Sequence, residues 1–171
     1  MTKAIQLLDD EHTKIKSVLT QCSSLYEFSL VNDFVAFDHK VNELLSFFRN
    51  YADRFHHKKE EDILFPEIAK RNELVGEGVI TEMLENHADM RDMLRKIEAN
   101  LNKGDVKVVC DLFITYEQML LDHIAVEDDE VFQVAETLLN DNELETIYFK
   151  FLDADNEIGI EEKNRLSKAF N

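Results

Sequence analysis

The chain has 171 residues, of which 44% are apolar, so it is long enough to form one domain with a sizeable core. It contains only four glycines and one proline, and this scarcity of helix breakers predicts an all-α fold. A formal net charge of -17 would repel phosphate groups, which disfavours nucleic acid and anionic membranes as partners.

The sequence has no feature that directs it to a membrane. No apolar run approaches the ~20 residues that cross a bilayer, and the N-terminus lacks the basic and apolar segments of a signal peptide. Cys22 and Cys110 occur separately in apolar helical patterns rather than in a CxxC motif, which is typical of reduced core residues. We therefore expect a soluble, cytoplasmic protein.

The first predicted helix runs from about Thr2, a typical N-cap residue, to about Tyr26. His12 lies within its apolar stripe, whose members are spaced three or four apart: Ile5, Leu8, Ile15 and Leu19. A lone histidine in such a stripe is more often a hydrogen-bonded core residue than a metal ligand. Its role therefore depends on which other residues share the interior.

A break at residues 29–33 precedes a long second helix, whose apolar stripe repeats every seven residues at Phe34, Val41, Phe48 and Phe55. The stripe continues into His56, Glu60 and Ile63, so these side chains are expected to point inward. Their neighbours are expected to point outward: Lys58, Lys59 and Glu61. Pro66 lacks a backbone N–H donor and should bend or end this helix near Phe65.

The third predicted helix, at about residues 79–101, repeats the pattern of the first. Its apolar residues have the same offsets from His87 as those of the first helix have from His12. A turn follows, with Gly104 as helix terminator and Asp105 as the N-cap of the fourth helix.

A His-x3-Glu motif occurs twice, as His56 with Glu60 and as His123 with Glu127, and each copy has a Phe nine positions after its histidine. Residues four apart on a helix lie on one face, with Cβ atoms roughly 5–6 Å apart, so both side chains can reach one metal ion or two neighbouring ions. The position of the Phe selects His56 rather than His57 as the first ligand. Replacement of His57 is therefore expected to have little effect.

Residues 140–171 form a fifth segment with an apolar face followed by an acidic stretch that begins at Asp153. An EF-hand calcium loop requires Gly at its sixth position and Glu at its twelfth, where this sequence has Ile158 and Asn164. We therefore predict two helical pieces packed on the bundle as a C-terminal extension. The bundle itself is predicted at residues 1–139, as a pseudo-repeat of residues 1–70 and 77–139.

Long amphipathic helices with short connections favour an up-down-up-down four-helix bundle. Its inner faces meet, so six residues are expected to converge as metal ligands: His12, His56, Glu60, His87, His123 and Glu127. Burial of such side chains without partners is unfavourable, and bound metal removes that cost. The set suits two ions, each with two histidines and with the glutamates as bridges. Without thiolates, Fe or Mn is favoured and Zn is possible.

Other polar or soft residues have ordinary interpretations. His39 is expected at the surface or behind a ligand, and Tyr116 and Met119 are expected in the core. Ferritin-like di-iron proteins, a competing class of bundle, carry Glu-x2-His pairs. No Glu stands three residues before any His in this sequence, which excludes that class.

The sequence resembles hemerythrin-like proteins with an HHE cation-binding domain over about residues 1–139. The resemblance is carried by Glu11-His12, Asn86-His87 and the two His-x3-Glu motifs, the first in the form HHKKEEDILFP. It implies two Fe ions, oxo- or hydroxo-bridged when oxidised, with open positions for a small ligand.

Oxygen-carrying hemerythrins use five histidines, two of them four apart on one helix, whereas Met83 and Arg91 stand four residues either side of His87 here. The fifth histidine is thus missing, which argues against simple oxygen transport. A set of four His and two Glu is similar to that of di-iron proteins that repair iron-sulfur centres under nitrosative or oxidative stress. Those proteins usually carry an additional N-terminal domain with cysteines, which has no counterpart in these residues.

We therefore expect a non-haem di-iron protein that binds O2, NO or iron, in gas or oxidative-stress sensing or in iron handling. The expected partner is a small diatomic ligand or oxidant. The alternative is a redox enzyme or repair factor for iron-sulfur centres, and a third reading is a structural bundle whose metals are incidental. A metal and small-ligand binding protein is favoured over an enzyme.

Overall fold

The computed structural model describes residues 1–30 and 33–170, without the side chain of Phe28, and the regular structure of these residues is helical. The first bundle helix is α1 (Lys3–Leu19), and a short helix follows it, α2 (Leu25–Leu30). The second bundle helix is continuous over residues 34–71 and includes two π-helical segments: α3 (Phe34–Phe47), π1 (Phe48–His57), π2 (Glu60–Leu64) and α4 (Phe65–Arg71).

After Asn72, the short helix α5 (Glu73–Val75) and the segment π3 (Gly76–Ile80), which is kinked at Gly78, lead into the third bundle helix, α6 (Thr81–Leu101). The fourth contains α7 (Val106–Val126), π4 (Glu127–Val131) and α8 (Phe132–Leu138), and the extension contains α9 (Asp141–Ile158) and α10 (Ile160–Lys168). The chain is therefore an all-α, up-down-up-down four-helix bundle with a C-terminal helical extension, as predicted. None of the described helices has the length and apolar character that crossing a bilayer requires.

The first helix is shorter than predicted. It ends at Leu19 rather than near Tyr26, and turns follow it at residues 20–24. Within these turns the hydroxyl groups of Thr20 and Ser24 donate to backbone carbonyls three residues earlier, which competes with continued helix. The break predicted at residues 29–33 falls partly on residues 31 and 32, which lie outside the described residues.

The second helix does not end near Phe65, because it accommodates the proline by a change of hydrogen-bond register. The backbone N–H of Phe65 donates to the carbonyl of Glu60, five residues earlier. Pro66 then stands in the first turn of α4, where its missing N–H is tolerated, and the helix continues to Arg71.

The N-cap predicted at Asp105 is present. Its carboxylate accepts a hydrogen bond from the backbone N–H of Val108, and Gly104 before it has φ 73°, a left-handed conformation that favours glycine. These two residues reverse the chain between α6 and α7, so that His87 and His123 on those helices can face each other.

Two apolar clusters fill the interior, and a polar layer lies between them. Along α1, Ile5 and Leu8 belong to one cluster and Ile15 and Leu19 to the other, with His12 between the two. The apolar stripes of the other three bundle helices are interrupted at the same level. The interrupting residues are His56 and Glu60 on the second helix, His87 on the third, and His123 and Glu127 on the fourth. The antiparallel helices therefore bring polar residues from both halves of the sequence to one depth.

The C-terminal extension packs on one side of the bundle. Helix α9 contacts α1, π1 and π2, and α10 contacts π1. Leu144, Ile147 and Phe151 join the apolar cluster that contains Ile5 and Leu8, and Leu166 joins the other cluster. The extension therefore covers the side of the bundle formed by the first two bundle helices.

Candidate metal centre

The polar layer contains all six residues that the sequence singled out, together with His57. Each of the seven side chains is at most 3% exposed: His12, His56, His57, Glu60, His87, His123 and Glu127. Their Nε2 and carboxylate atoms form two groups that touch each other. The layer is therefore a buried concentration of nitrogen and oxygen donors.

The first group consists of His12, His56, Glu60 and Glu127, and one ligand atom of each lies within 4.8 Å of the others. His12 Nε2 is 3.2 Å from Glu127 Oε2, and His56 Nε2 is 3.3 Å from Glu60 Oε1. His12 Nε2 also lies 4.0 Å from Glu60 Oε1. Two imidazoles and two carboxylates thus face one point, which is the arrangement that the His-x3-Glu spacing predicts.

The second group consists of His57, His87 and His123, again with one nitrogen of each within 4.8 Å of the others. His87 Nε2 and His123 Nε2 are 3.0 Å apart, and the rings of His57 and His87 stack with centroids 3.8 Å apart. Both His56 and His57 point inward, so the choice of His56 over His57 wrongly left His57 outside the site. No second histidine stands four residues from His87, but His57 brings a fifth imidazole to the site from another helix.

The two glutamates connect the groups. Glu60 directs Oε1 to the first group and places Oε2 3.7 Å from His87 Nε2 in the second. Glu127 Oε2 is 3.2 Å from His12 Nε2 and 3.2 Å from His123 Nε2, and Oε1 is 3.9 Å from His87 Nε2. Each carboxylate therefore reaches donors of both groups.

The donor atoms fit a bound cation because hydrogen bonds do not satisfy them. Among the described residues, the Nε2 atoms of His12, His56 and His57 and all four carboxylate oxygens of Glu60 and Glu127 have no hydrogen-bond partner. Buried polar atoms normally have one, and burial without one is unfavourable. A cation in each group would be a partner for all of them. Cys22 and Cys110 are free and buried in the apolar core, so the donors that a cation would meet in this layer are nitrogen and oxygen.

Carboxylates behind the imidazoles orient four of the five rings. In the first group, His12 Nδ1–H donates to Asp128 (2.7 Å) and His56 Nδ1–H donates to Glu11 (2.9 Å). In the second group, His57 Nδ1–H donates to Asp53 (3.4 Å) and His87 Nδ1–H donates to Glu61 (2.7 Å). A hydrogen bond at Nδ1 fixes the ring and leaves Nε2 as the electron-pair donor, the pattern of metal-binding histidines. His123 differs, because its Nδ1 is buried without a hydrogen-bond partner among the described residues.

Basic residues hold these outer carboxylates in turn. Arg91 donates to Asp53 (2.8 Å) and to Glu61 (2.6 Å), which are the acceptors of His57 and His87. Arg91 occupies one of the two positions four residues from His87 where the resemblance led us to look for a further histidine. Its hydrogen bonds support the second group from outside. Lys16 donates to Asp128 at 3.1 Å in the first group.

Lys59 contradicts its predicted outward orientation, because its side chain is fully buried. Its ammonium group is 2.6 Å from the carbonyl of Phe55, 2.9 Å from Glu11 Oε1 and 2.8 Å from Asp155 Oδ1. The acceptor from α9 lies far along the sequence, which is why local periodicity could not predict this burial. Lys58, its neighbour, is exposed as predicted.

The two histidines of the first group have opposite pKa shifts. Burial opposes protonation of His12, but the hydrogen bond to Asp128 and the nearby negative charge of Glu127 outweigh it and raise the pKa of His12 to about 9. Burial, followed by the positive charge of His12, lowers the pKa of His56 to about 4. His56 is therefore neutral at physiological pH, the form in which an imidazole binds a metal.

The two central carboxylates cannot easily carry their charges together. Burial and then the negative charge of Glu127 raise the pKa of Glu60 well above its usual range. Burial has the same effect on Glu127, but the charges of His123 and His12, whose Nε2 atoms each lie 3.2 Å from Glu127 Oε2, outweigh it, and the pKa of Glu127 falls well below its usual range. A cation between these carboxylates would favour the charged form of both.

The π-helical segments π1, π2 and π4 carry donors of the site. π-Helical turns are rare and often occur at functional sites, and their wider register alters which neighbouring residues face the interior. Adjacent His56 and His57 at the end of π1 reach different groups. Periodicity of α-helical type could not predict this, although the doubled His-His was a signal in the sequence.

The remaining residues singled out in the sequence lie outside the site. His39 is exposed, with Nδ1 3.6 Å from Glu43 Oε1. Tyr116 packs in the core, with its ring centroid 5.0 Å from that of Phe48. The rings of Phe132 and Phe65 stack on His12 and His87, at centroid distances of 5.3 and 6.0 Å, and cover the donors on one side.

Comparison with known families agrees with this geometry. The profile of the family described as hemerythrin HHE cation binding domain matches residues 3–135, which include every donor of both groups. Neither the curated proteins nor the solved structures that were compared with the chain gave a match. With most of its length matched and with buried His and Glu groups able to hold metal, the chain belongs to the hemerythrin HHE cation binding domain family.

Proposed function

We propose that this protein is a non-haem di-iron protein that binds a small ligand, O2 or NO, or iron itself, in gas or oxidative-stress sensing or in iron handling. The observation that carries the proposal is the pair of carboxylates that reach two adjacent donor groups. Glu60 and Glu127 each have atoms within 4 Å of imidazole nitrogens in both groups. Such an arrangement suits two ions joined by carboxylate bridges.

The ligands divide unequally between the two ions. His12 and His56 would hold one ion, and three imidazoles would hold the other: His57, His87 and His123. If each glutamate supplied one oxygen to each ion, the first ion would have four protein donors and the second would have five. An ion with about six positions would keep more of its coordination sphere open on the His12–His56 side.

The fifth imidazole changes the functional argument. A set of four histidines argues against oxygen binding, but His57 supplies an additional nitrogen from the second helix rather than from the third. The departure at Met83 and Arg91 is therefore no objection to reversible binding of a diatomic ligand. This favours a binding or sensing role over the repair of iron-sulfur centres.

The enclosure of the site supports a small ligand. The donor side chains are at most 3% exposed and are covered by Phe65 and Phe132. O2, NO or a metal ion can reach such a centre through small fluctuations of the packing, whereas a larger substrate would need the helices to separate. The donor types favour Fe or Mn and permit Zn. When bound, iron would supply redox chemistry and open coordination positions.

The test is anaerobic titration of the metal-free protein with Fe(II), followed by exposure to air or NO while the absorption spectrum is recorded. The proposal predicts about two Fe per chain and a charge-transfer band that appears with the ligand and disappears when the ligand is removed. Irreversible oxidation with repeated consumption of oxidant would support the redox enzyme instead. Binding of fewer than two ions would refute the di-iron centre.

A further inference from the structure

We propose that the C-terminal extension supports the metal centre, and that its residues Asp155 and Lys163 are positioning residues for His56. They would act through Glu11, the carboxylate that accepts the Nδ1–H of His56. This inference rests on the proposed function, because it concerns the ion that His12 and His56 would hold. Both positioning residues lie beyond the residues 3–135 that match the family profile.

A buried network of charged groups connects the extension to His56. Glu11 Oε2 accepts from His56 Nδ1 at 2.9 Å, and Glu11 Oε1 accepts from Lys59 at 2.9 Å and also from Lys163 of α10. Asp155 of α9 accepts from Lys163 and lies 2.8 Å from the ammonium group of Lys59. Each lysine thus joins Glu11 to Asp155.

The network is neutral and largely buried, and its most exposed member is Lys163, with 12% of its side chain exposed. It contains two carboxylates and two ammonium groups, and Glu11, Lys59 and Asp155 are at most 3% exposed. Glu11 has no freedom to turn away from His56 while both lysines hold its other oxygen. Removal of Lys163 would leave an excess of buried negative charge, and removal of Asp155 would leave both lysines without their second carboxylate. In either case the remaining groups would shift, and Glu11 would move with them. This movement would weaken the hydrogen bond that aims His56 Nε2 at the first group.

The effect should be confined to one ion, because the second group has separate support. His57 and His87 are oriented by Asp53 and Glu61, and Arg91 holds both of these carboxylates. All three outer residues belong to the bundle. The extension is therefore placed to adjust the His12–His56 ion while the second ion is unaffected.

The test is a two-step anaerobic Fe(II) titration of the full chain carrying Lys163→Met or Asp155→Asn. Loss of an outer-shell partner typically weakens metal binding by about 10–100-fold, and we expect a loss of this size in one binding step only. Lys168→Met and Asp153→Asn are the matched controls, because they remove the same charges from exposed positions on the same two helices. Both controls should bind iron as the wild-type chain does.

Two further variants test whether Lys163 acts on His56 through its charge and Glu11, or only by packing against the bundle. Lys163→Arg should recover most of the lost affinity, because it restores the charge. In a Glu11→Gln chain, Lys163→Met should cause no additional loss, because its effect passes through Glu11. Circular dichroism would establish that each variant is folded, and Lys163→Arg keeps the test available if Asp155→Asn does not fold.

The outcomes distinguish this inference from the proposed function. A wild-type chain that holds two ions, with Lys163→Met and Asp155→Asn chains that bind both ions equally well, would overturn the inference and leave the di-iron centre intact. Equal weakening of both binding steps, or full additivity with Glu11→Gln, would also overturn it. A wild-type chain that holds fewer than two ions would refute the di-iron centre, and the inference with it.

Discussion

Replacement of Lys59 by methionine tests whether the buried charge network stabilises the fold. Methionine keeps most of the apolar side chain but removes the ammonium group that contacts Glu11, Asp155 and the carbonyl of Phe55. Two buried carboxylates would then face one remaining cation, Lys163. Because Lys59 is fully buried, water cannot replace the lost partner.

The expected magnitude follows from this burial. Removal of one partner from a buried ion pair destabilises by roughly 3–5 kcal/mol. For a domain of this size, ~1 kcal/mol shifts Tm by ~2–4 °C, so Lys59→Met should lower Tm by roughly 6–20 °C. Lys58→Met is the matched control, because Lys58 is exposed and pairs with Asp62 on the surface. Such exposed pairs contribute about 0–1 kcal/mol.

The assays are thermal and urea unfolding of the metal-free protein at neutral pH, each followed by circular dichroism; they give Tm and the free energy of unfolding. The double variant Lys59→Met with Asp155→Asn restores a one-to-one balance of charge, so it should be less destabilised than the sum of the two single variants. The reasoning would be refuted if Lys58→Met cost as much as Lys59→Met. Strict additivity of the double variant would refute the role of charge balance.

Three further predictions concern the metal centre. His57→Phe should reduce iron binding from about two ions per chain to about one, as measured by metal analysis after dialysis, while His39→Phe at an exposed position should change nothing. Glu60→Gln and Glu127→Gln should each lower the stoichiometry toward one or none, because each carboxylate reaches both groups; retention of two ions would contradict bridging. In the metal-free protein, the folded-state pKa of His56, about 4, lies below the unfolded value of about 6.5. The contribution of neutral His56 to stability is therefore complete above pH 6.5 and falls by roughly 3 kcal/mol as the pH decreases toward 4. Over this pH window the urea midpoint of the His56→Phe variant should fall less steeply than that of the wild-type chain.

The bundle and six of the seven inward donors could be inferred from the sequence because their signals are local. Apolar residues at spacings of three and four predict amphipathic helices wherever they occur, and His12 and His87 stand at equivalent points of two such stripes. The His-x3-Glu motifs place both side chains on one helical face regardless of the rest of the fold. The N-cap at Asp105 is equally local.

The sequence analysis left His57 out of the site because it assumed that each helix turns a single row of side chains toward one metal centre. Adjacent residues on an α-helix point in directions about 100° apart, so a single inward row can contain His56 or His57 but not both. This interior holds two donor groups side by side, so His56 and His57 can both point inward and reach different groups. The width of the site is a property of four packed helices, which no single helix reveals.

The sequence by itself determined the helices, their apolar faces and the residue types that can bind metal, since these depend on neighbours within a few positions. Only the tertiary structure decided that Lys59 is buried, that Arg91 holds the carboxylates behind two histidines, and that Asp155 reaches the network around Glu11. Each of these depends on a partner from another helix. A charged side chain on a helix can be buried only where an opposite charge packs against it, and the tertiary fold determines which charge that is.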